Sequence, residues 1–411
     1  MAIARPTLAV DIRFESGADN DGWVLGTSEL PTQLGAPDDA SVYTNVWSDV
    51  RSLSTNRGRS RELEKYKAGT GSVTLDNRTR NYDPLNLSGT HVDSGVTQIK
   101  PGRRIRIKAT HPTTGTVYDV FYGVIREWDM LYEGSFDAVS LAKFSDPLTD
   151  LSKTDITVTT AAGLSGLAAQ DIIDAAGIAK SEIDAGVSSL QATTFTETNA
   201  LVAMQRTATS EQGAFYADAG GTLQYDDRHA LQSETRSNTS QYTLGTGNLP
   251  IESIDFDYGL DLVKNAVSIT RAGGTAQTDS DTDSINDYGK RSYKLSNLMM
   301  DSNAQALSTA QYLVSTYKDP EVRVRSVTLA PQSHADLMTA ALNVELRDRV
   351  TVTYAPPGGG SAISQELFVE GIRHSFGTNR MKTKLSFSST ERATGWSLGV
   401  GDLGTGTILA F

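Results

Sequence analysis

The sequence predicts a mainly β protein with α/β insertions: β structure at both chain ends and two smaller α/β units between them. Three observations predict it. Apolar and polar residues alternate along most stretches toward either end, the period of half-buried strands. In the middle, apolar residues recur at helical spacing instead. The chain has 411 residues, enough for two to four domains of roughly 150 residues each, with real cores.

The elements follow in order. Gly71–Asn77 reads as a strand running into a turn. In Arg103–Ala109, residues Ile105, Ile107 and Ala109 face one way and Arg104, Arg106 and Lys108 the other, a half-buried strand with a basic outer face. The turn-like Pro112-Thr113-Thr114-Gly115 joins it to Val117–Ile125 as a hairpin. Asp150–Asp155 is polar without alternation and marks a change of character. Leu164, Leu167, Ala168, Ile172 and Ala175 then sit at helical spacing, with Gly177 as the stop. Asn199 caps a second helix carrying Leu201, Val202, Met204 and Ala208. Gly213–Tyr225 reads as a hairpin turning on Gly220-Gly221, and Ser233–Ser240 as a linker.

A third region opens with a strand over Leu262–Ile269 and an acidic loop over Thr275–Asp287. Ser302 caps a helix with a stripe of Ala306, Leu307, Ala310, Leu313, Val314 and Tyr317, ended by Asp319-Pro320. Glu321–Leu329 alternates with one slip of phase. Arg349–Tyr354, Glu366–His374 and Thr383–Ser388 are further strands, the first two separated by the turn at Pro356–Gly360, and predict a barrel-like antiparallel unit. Gly395–Phe411, with Trp396 and many Gly, is expected to lie extended over a neighbour. The boundaries expected are 1–150, 151–245, 246–340, 341–394 and a tail at 395–411. There is no tandem repeat of 20–50 residues.

Composition removes several kinds of chemistry. No run of about 18 apolar residues is present. The opening MAIARPTLAVDIRFES has no apolar h-region, so a secretion signal is not expected. With no Cys and five His, none in HExxH spacing, neither thiolate catalysis nor a zinc site is expected. Gly399-Val400-Gly401-Asp402-Leu403-Gly404 spells GxGxxG, but a dinucleotide site needs a strand before it and a helix after it, and the sequence stops too soon for that. Asp279, Asp281 and Asp283 imitate the start of a calcium loop, yet its sixth position is Ser284 and its twelfth Lys290. No GxSxG and no marked pair of carboxylates support hydrolysis. Trp23, Trp47, Trp128 and Trp396 form no readable sugar site. No cofactor and no enzymatic activity are expected.

Charge is the most informative local feature. The chain carries 37 Lys+Arg and 49 Asp+Glu, a net −12. Between Asn56 and Lys108, twelve basic residues meet five acids, so this stretch is +7 and the remainder −19. Such a stretch serves phosphate binding, a contact with an acidic subunit face, or solvation. The acidic remainder favours the subunit face. Arg57, Arg59, Arg61, Arg104, Arg106 and Lys108 are the candidate inter-subunit contacts.

The segment DVRSLSTNRGRSRELEKYKAGTGSVTLDNRTRNYDPLNL (Asp49–Leu87) is followed by Lys100-Pro101-Gly102-Arg103-Arg104-Ile105-Arg106-Ile107 and by Phe121-Tyr122-Gly123-Val124-Ile125-Arg126-Glu127-Trp128. It resembles the minor tail proteins of long-tailed phages of actinobacteria. Tyr288-Gly289-Lys290-Arg291, Tyr317-Lys318-Asp319-Pro320 and Leu367-Phe368-Val369-Glu370-Gly371-Ile372-Arg373-His374 resemble the tail hub, the counterpart of the baseplate hub of contractile phages. The resemblance is specific over the first 130 residues and looser between 150 and 250. It implies two tail-tube-like β-barrel domains at the chain ends and two α/β hub domains between them. A homotrimer would then present six barrels as a ring at the distal end of the virion tail. The implied neighbours are a distal tail ring protein, a tape measure protein and tip fibres or a spike. DNA would pass through without specific binding, and the host surface would be met indirectly. On that reading Arg104, Arg106 and Lys108 face a neighbouring subunit rather than the lumen. A hexameric distal tail protein is the alternative within the class; a cell-wall hydrolase or receptor-binding protein is the alternative outside it.

Overall fold

The computed structural model describes residues 3–14, 43–134, 136–377 and 379–390, and the backbone of 395–396 and 408–409. A 13-stranded sheet joins the two ends of the chain. Its strands are β1 (Thr7–Ile12), β2 (Thr44–Asn45), β3 (Val50–Gly58), β4 (Lys67–Asp76), β5 (Arg104–Thr110), β6 (Val117–Glu133), β7 (Asp137–Ser145), β8 (Ser240–Gly245), β9 (Ser253–Asp257), β10 (Arg323–Leu329), β11 (Arg349–Tyr354), β12 (Ile363–Phe376) and β13 (Met381–Ser389). The path runs β9-β10-β13-β12-β3-β4-β7-β6-β5-β1-β2, with β8 paired to β11 and β11 to β12. Neighbours are antiparallel except β8 and β11. Strand β5 shows why these residues form a sheet: Ile105, Ile107 and Ala109 are fully buried, and the polar residues between them are not. The hairpin of β5 and β6 has the expected register, Arg104 opposite Val124 and Thr110 opposite Val117.

Among the described residues, four helices of nine residues or more accompany it: α1 (Ser165–Ala175), α2 (Ala200–Glu211), α3 (Asn303–Tyr317) and α4 (Ala335–Asn343). The expected caps are in place. Asn199 accepts from the Val202 N–H at 3.2 Å and Ser302 from the Gln305 N–H at 3.2 Å, each satisfying a donor the helix leaves open. Helices α1 and α2 bury Ile172, Ile173 and Met204 against Phe215 and Leu223, forming a second core. Helix α3 buries Ala310, Leu313 and Val314 on the sheet Gln277–Ser280, Ala266–Arg271, Ser292–Leu298, forming a third. Helix α4, which periodicity did not single out, seats Leu337, Met338 and Ala341 in the core of the large sheet.

Several expectations are corrected. The ends are not two separate bodies: β12 pairs directly with β3, so one sheet spans both, and among the described residues its path does not close into a barrel. Strands β8, β9 and β10 lie in the stretches 151–245 and 246–340 assigned to small units, yet they pair in this sheet. Ser233–Ser240 is no open linker. It holds helical turns at Ala230–Ser233 and Thr235–Asn238, because Ser237 is buried on the Arg347 carbonyl and Arg236 pairs with Asp348. Thr275–Asp287 contains a strand and a helix, Thr282–Tyr288, rather than a loop. Its Asp281 is spent as the cap of that helix, accepting from the Ser284 N–H at 2.9 Å, and on Lys318 at 2.9 Å. The GxGxxG motif lies outside the described residues.

One glycine fixes the seam between the two halves. Gly58 ends β3 at φ +90°, and a Cβ there would sit 2.2 Å from the Glu370 carbonyl oxygen. Gly58→Ala is therefore expected to cost about 3 kcal/mol from strain and displaced backbone, read as a drop in the urea midpoint. An unchanged midpoint would mean that this seam is not tightly built.

Candidate functional site

Strand β12 is shared between two partners along one edge. Ile363–Phe368 pairs with β11, and Gly371–Phe376 pairs with β3. The fork lies at Val369 and Glu370, where the register against β13 also slips. Backbone bonds pin it: the Arg347 N–H donates to the Val369 carbonyl at 2.7 Å, and the Arg59 N–H to the Glu370 carbonyl at 2.7 Å. Such a bulge re-aims a side chain. Here it turns a carboxylate inward.

Glu370 is 3% exposed. It accepts from Arg59 Nε at 2.7 Å and Nη2 at 2.9 Å, from Ser388 Oγ at 2.6 Å, and from the Tyr66 hydroxyl. Burial pushes its carboxyl up, but the Arg59 guanidinium and the Ser388 and Tyr66 hydroxyls outweigh that and hold it at about 2. Beside it Arg57, 4% exposed, forks onto Glu345 at 2.6 and 3.2 Å. Glu345 also accepts the Ala219 N–H at 3.1 Å, which ties in the unit carrying α1 and α2. Buried Arg347 pairs with Asp226 of the same unit, and Arg323 bridges Glu62 and Asp257, each at 2.9 Å. Bidentate guanidinium–carboxylate geometry fixes orientation as well as distance. The fork is thus the junction where sheet halves and inserted units are locked together.

All six sequence candidates have partners within the chain. Arg57 and Arg59 are at the fork. Arg61 pairs with Asp261 at 2.6 Å, Arg106 with Asp11 at 2.9 Å and Lys108 with Asp119 at 3.4 Å, while Arg104 donates to the Tyr122 hydroxyl at 2.8 Å. The fork unites only Arg57 and Arg59; the other four lie apart from it. Sequence reasoning missed Glu370, Glu345, Arg347 and Asp226. The signal for Glu370 was present: a single acid inside Leu367-Phe368-Val369-Glu370-Gly371-Ile372 belongs to a buried strand and requires a cation.

A cleft of about 810 Å³ opens beside the fork. Its lining is drawn from helices α2 and α3, from Leu63–Lys65, and from Arg347 and Glu370 of the fork. The Asp184, Asp226 and Glu234 carboxylates approach one another within 4.8 Å. Burial and then the Asp226 charge push Glu234 up to about 7, and Arg347 balances Asp226.

No family model matches the sequence, and no curated protein matches it. Solved structures do. The 43 kDa tail protein of prophage MuSo2 from Shewanella oneidensis superposes with a TM-score of 0.57 at 14% identity, over 94% of this chain and 99% of that one. The chain has the fold of a tail protein. A tail protein from Neisseria meningitidis MC58 gives a TM-score of 0.56 at 13% identity, over 93% and 96% of the two chains. At these identities the likeness concerns the fold, and it runs essentially from end to end of both neighbours.

Proposed function

We propose that the chain is a structural tail-tip protein of a long-tailed phage, the hub that adapts a sixfold tail to threefold fibres or a spike. The observation that carries the reading is the end-to-end sharing of fold with the MuSo2 tail protein. The reading is of a structural, non-enzymatic protein. Three copies would assemble as a ring. The half-sheets β1–β7 and β8–β13 would each supply one tube-like module per copy, six in all, with the unit that carries α1 and α2 and the unit that carries α3 decorating the ring. The ring would sit at the distal end of the virion tail, between the distal tail ring and tape measure proteins above and the fibres below.

Electrostatics support passage of DNA without retention. The net charge of −12 disfavours phosphate, and Arg57, Arg59, Arg61, Arg106 and Lys108 of the basic segment are paired with intrachain carboxylates. Arg61 and Lys108, with side chains 35% and 39% exposed, are the members of the basic set best placed to meet a neighbour as well. A second surface supports assembly. Phe136 is 92% exposed in the turn between β6 and β7, and Leu85 is 80% exposed on a loop tied to that hairpin by the Tyr132 hydroxyl on Asp83. Phe136 and Leu85 would form part of a contact with another chain. Negative-stain electron microscopy of the purified chain is expected to show threefold rings that Phe136→Asp abolishes without lowering the melting temperature. Particles without rings in the wild type, or rings with true sixfold symmetry, would contradict the hub.

A further inference from the structure

We propose that the cleft beside the fork receives the segment that follows β13 in the same chain, with Trp396, Leu398 and Val400 seated against its apolar lining. The inference concerns a single chain and goes beyond the hub reading. The cleft is open on apolar surface. Leu63, Tyr293, Leu295 and Tyr312 pack only partly against the third core and line the cleft, and Val187, 36% exposed, lines it as well. Apolar side chains gathered in a concave site of about 810 Å³ have the make-up of a binding cleft, and covering them gains about 25 cal/mol per Å².

The root of the segment is fixed at the same place. Ser388 and Ser389, which end β13, belong to the lining. Thr390 is held just beyond them: its N–H donates to the Glu366 carbonyl at 3.3 Å and its hydroxyl to the same oxygen at 2.9 Å. Trp396 follows six residues later, a span of at most about 20 Å. A ligand on so short a tether has an effective concentration in the millimolar range, so a weak seat is enough to hold it. The chemistry of the segment fits. From Gly395 to Phe411 the only charged side chain is Asp402, so covering the cleft desolvates almost no charge. Trp396, Leu398 and Val400 alternate with Ser397 and Gly399, and in an extended chain the three apolar residues project to one side. The backbone of Gly395–Trp396 is extended and pairs in parallel with Ile408–Leu409. An apolar ridge of that kind matches an apolar cleft. The surface of a neighbouring chain, expected from sequence alone, is the competing resting place.

The test uses the full chain, which has no Cys, so a pair of introduced thiols is the only one present. Ser308→Cys, in the part of the lining that α3 supplies, is combined with Ser397→Cys and treated with a short bis-maleimide. The control combines Ser397→Cys with Val117→Cys, at a residue 56% exposed and outside the lining. A cross-link within one chain is expected to form at least about tenfold faster in the cleft pair than in the control, because a seated segment raises the local concentration of its thiol. Adding Trp396→Ser and Leu398→Ser to the cleft pair should remove that advantage while the melting temperature is retained. Equal rates in the two pairs, or an advantage that survives the two serine substitutions, would overturn the proposal. So would a product of two linked chains in place of one linked within itself, which would move the segment to a neighbour. Ring formation is read separately by microscopy, so failure of this proposal and failure of the hub reading are told apart.

Discussion

Glu370→Ala is expected to lower the stability of the chain by about 3–5 kcal/mol, because it leaves a guanidinium buried without its counter-charge. Arg59 is held by both oxygens of Glu370, and the Tyr66 and Ser388 hydroxyls lose their acceptor at the same time. The loss falls at the fork where β3 and β11 leave β12, so both half-sheets feel it. The double variant Arg59→Met with Glu370→Leu separates charge from packing. Replacing a buried pair by apolar groups is often close to neutral, so the double variant should recover most of the stability lost by the single one. Urea unfolding by circular dichroism measures both. A single-variant loss below about 1 kcal/mol, the cost of an ordinary surface change, would show that the fork is not the structural junction.

The second large effect is a dependence on pH centred on His374. Its ring is 3% exposed, with Nδ1 3.0 Å from Thr383 Oγ1. Burial, and then the Arg57 charge, push its pKa down to about 3 from an unfolded value near 6.5. A depressed pKa means that the unfolded chain takes up the proton first. The stability contributed by neutral His374 is therefore complete above pH 6.5 and is lost as pH falls toward 3. Asp146 and Glu234 act in the opposite sense. Burial pushes each up to about 7, so what they contribute is complete at low pH and lost as pH rises through about 7. The wild-type slope is the resultant, and a difference isolates the histidine. Between pH 6.5 and 4.5 the wild type is expected to lose about 2 kcal/mol relative to His374→Asn, as read from urea midpoints at several pH values. Parallel curves for the two proteins would refute the assignment. Glu370, held at about 2, adds a further loss only below its unfolded value of 4.5.

Much of the local structure was legible in the sequence. The β5–β6 hairpin followed from alternation, and the starts of α2 and α3 from Asn199 and Ser302, because caps and periodicity are written within a few residues. What failed depends on partners far away. Asp281 looked like a cation ligand until the helix it caps, and Lys318, were in place. Arg57 and Arg59 were read as inter-subunit contacts, whereas the carboxylates they pair with in this chain lie 288 and 311 residues away. No spacing rule reaches that far. The same distance hid the joining of the chain ends: β3 and β12 each read as strands, and nothing local said that they were neighbours. Helix α4 was missed although Leu337, Met338, Ala341 and Leu342 recur at helical spacing.

The central claim is that three copies of this chain make one ring. Native mass spectrometry of the purified protein at micromolar concentration tests it most directly. The account predicts a dominant species of three 44.1 kDa chains, falling to single chains in Phe136→Asp. A dominant species of six chains, or single chains persisting in the wild type at every concentration reached, would contradict it.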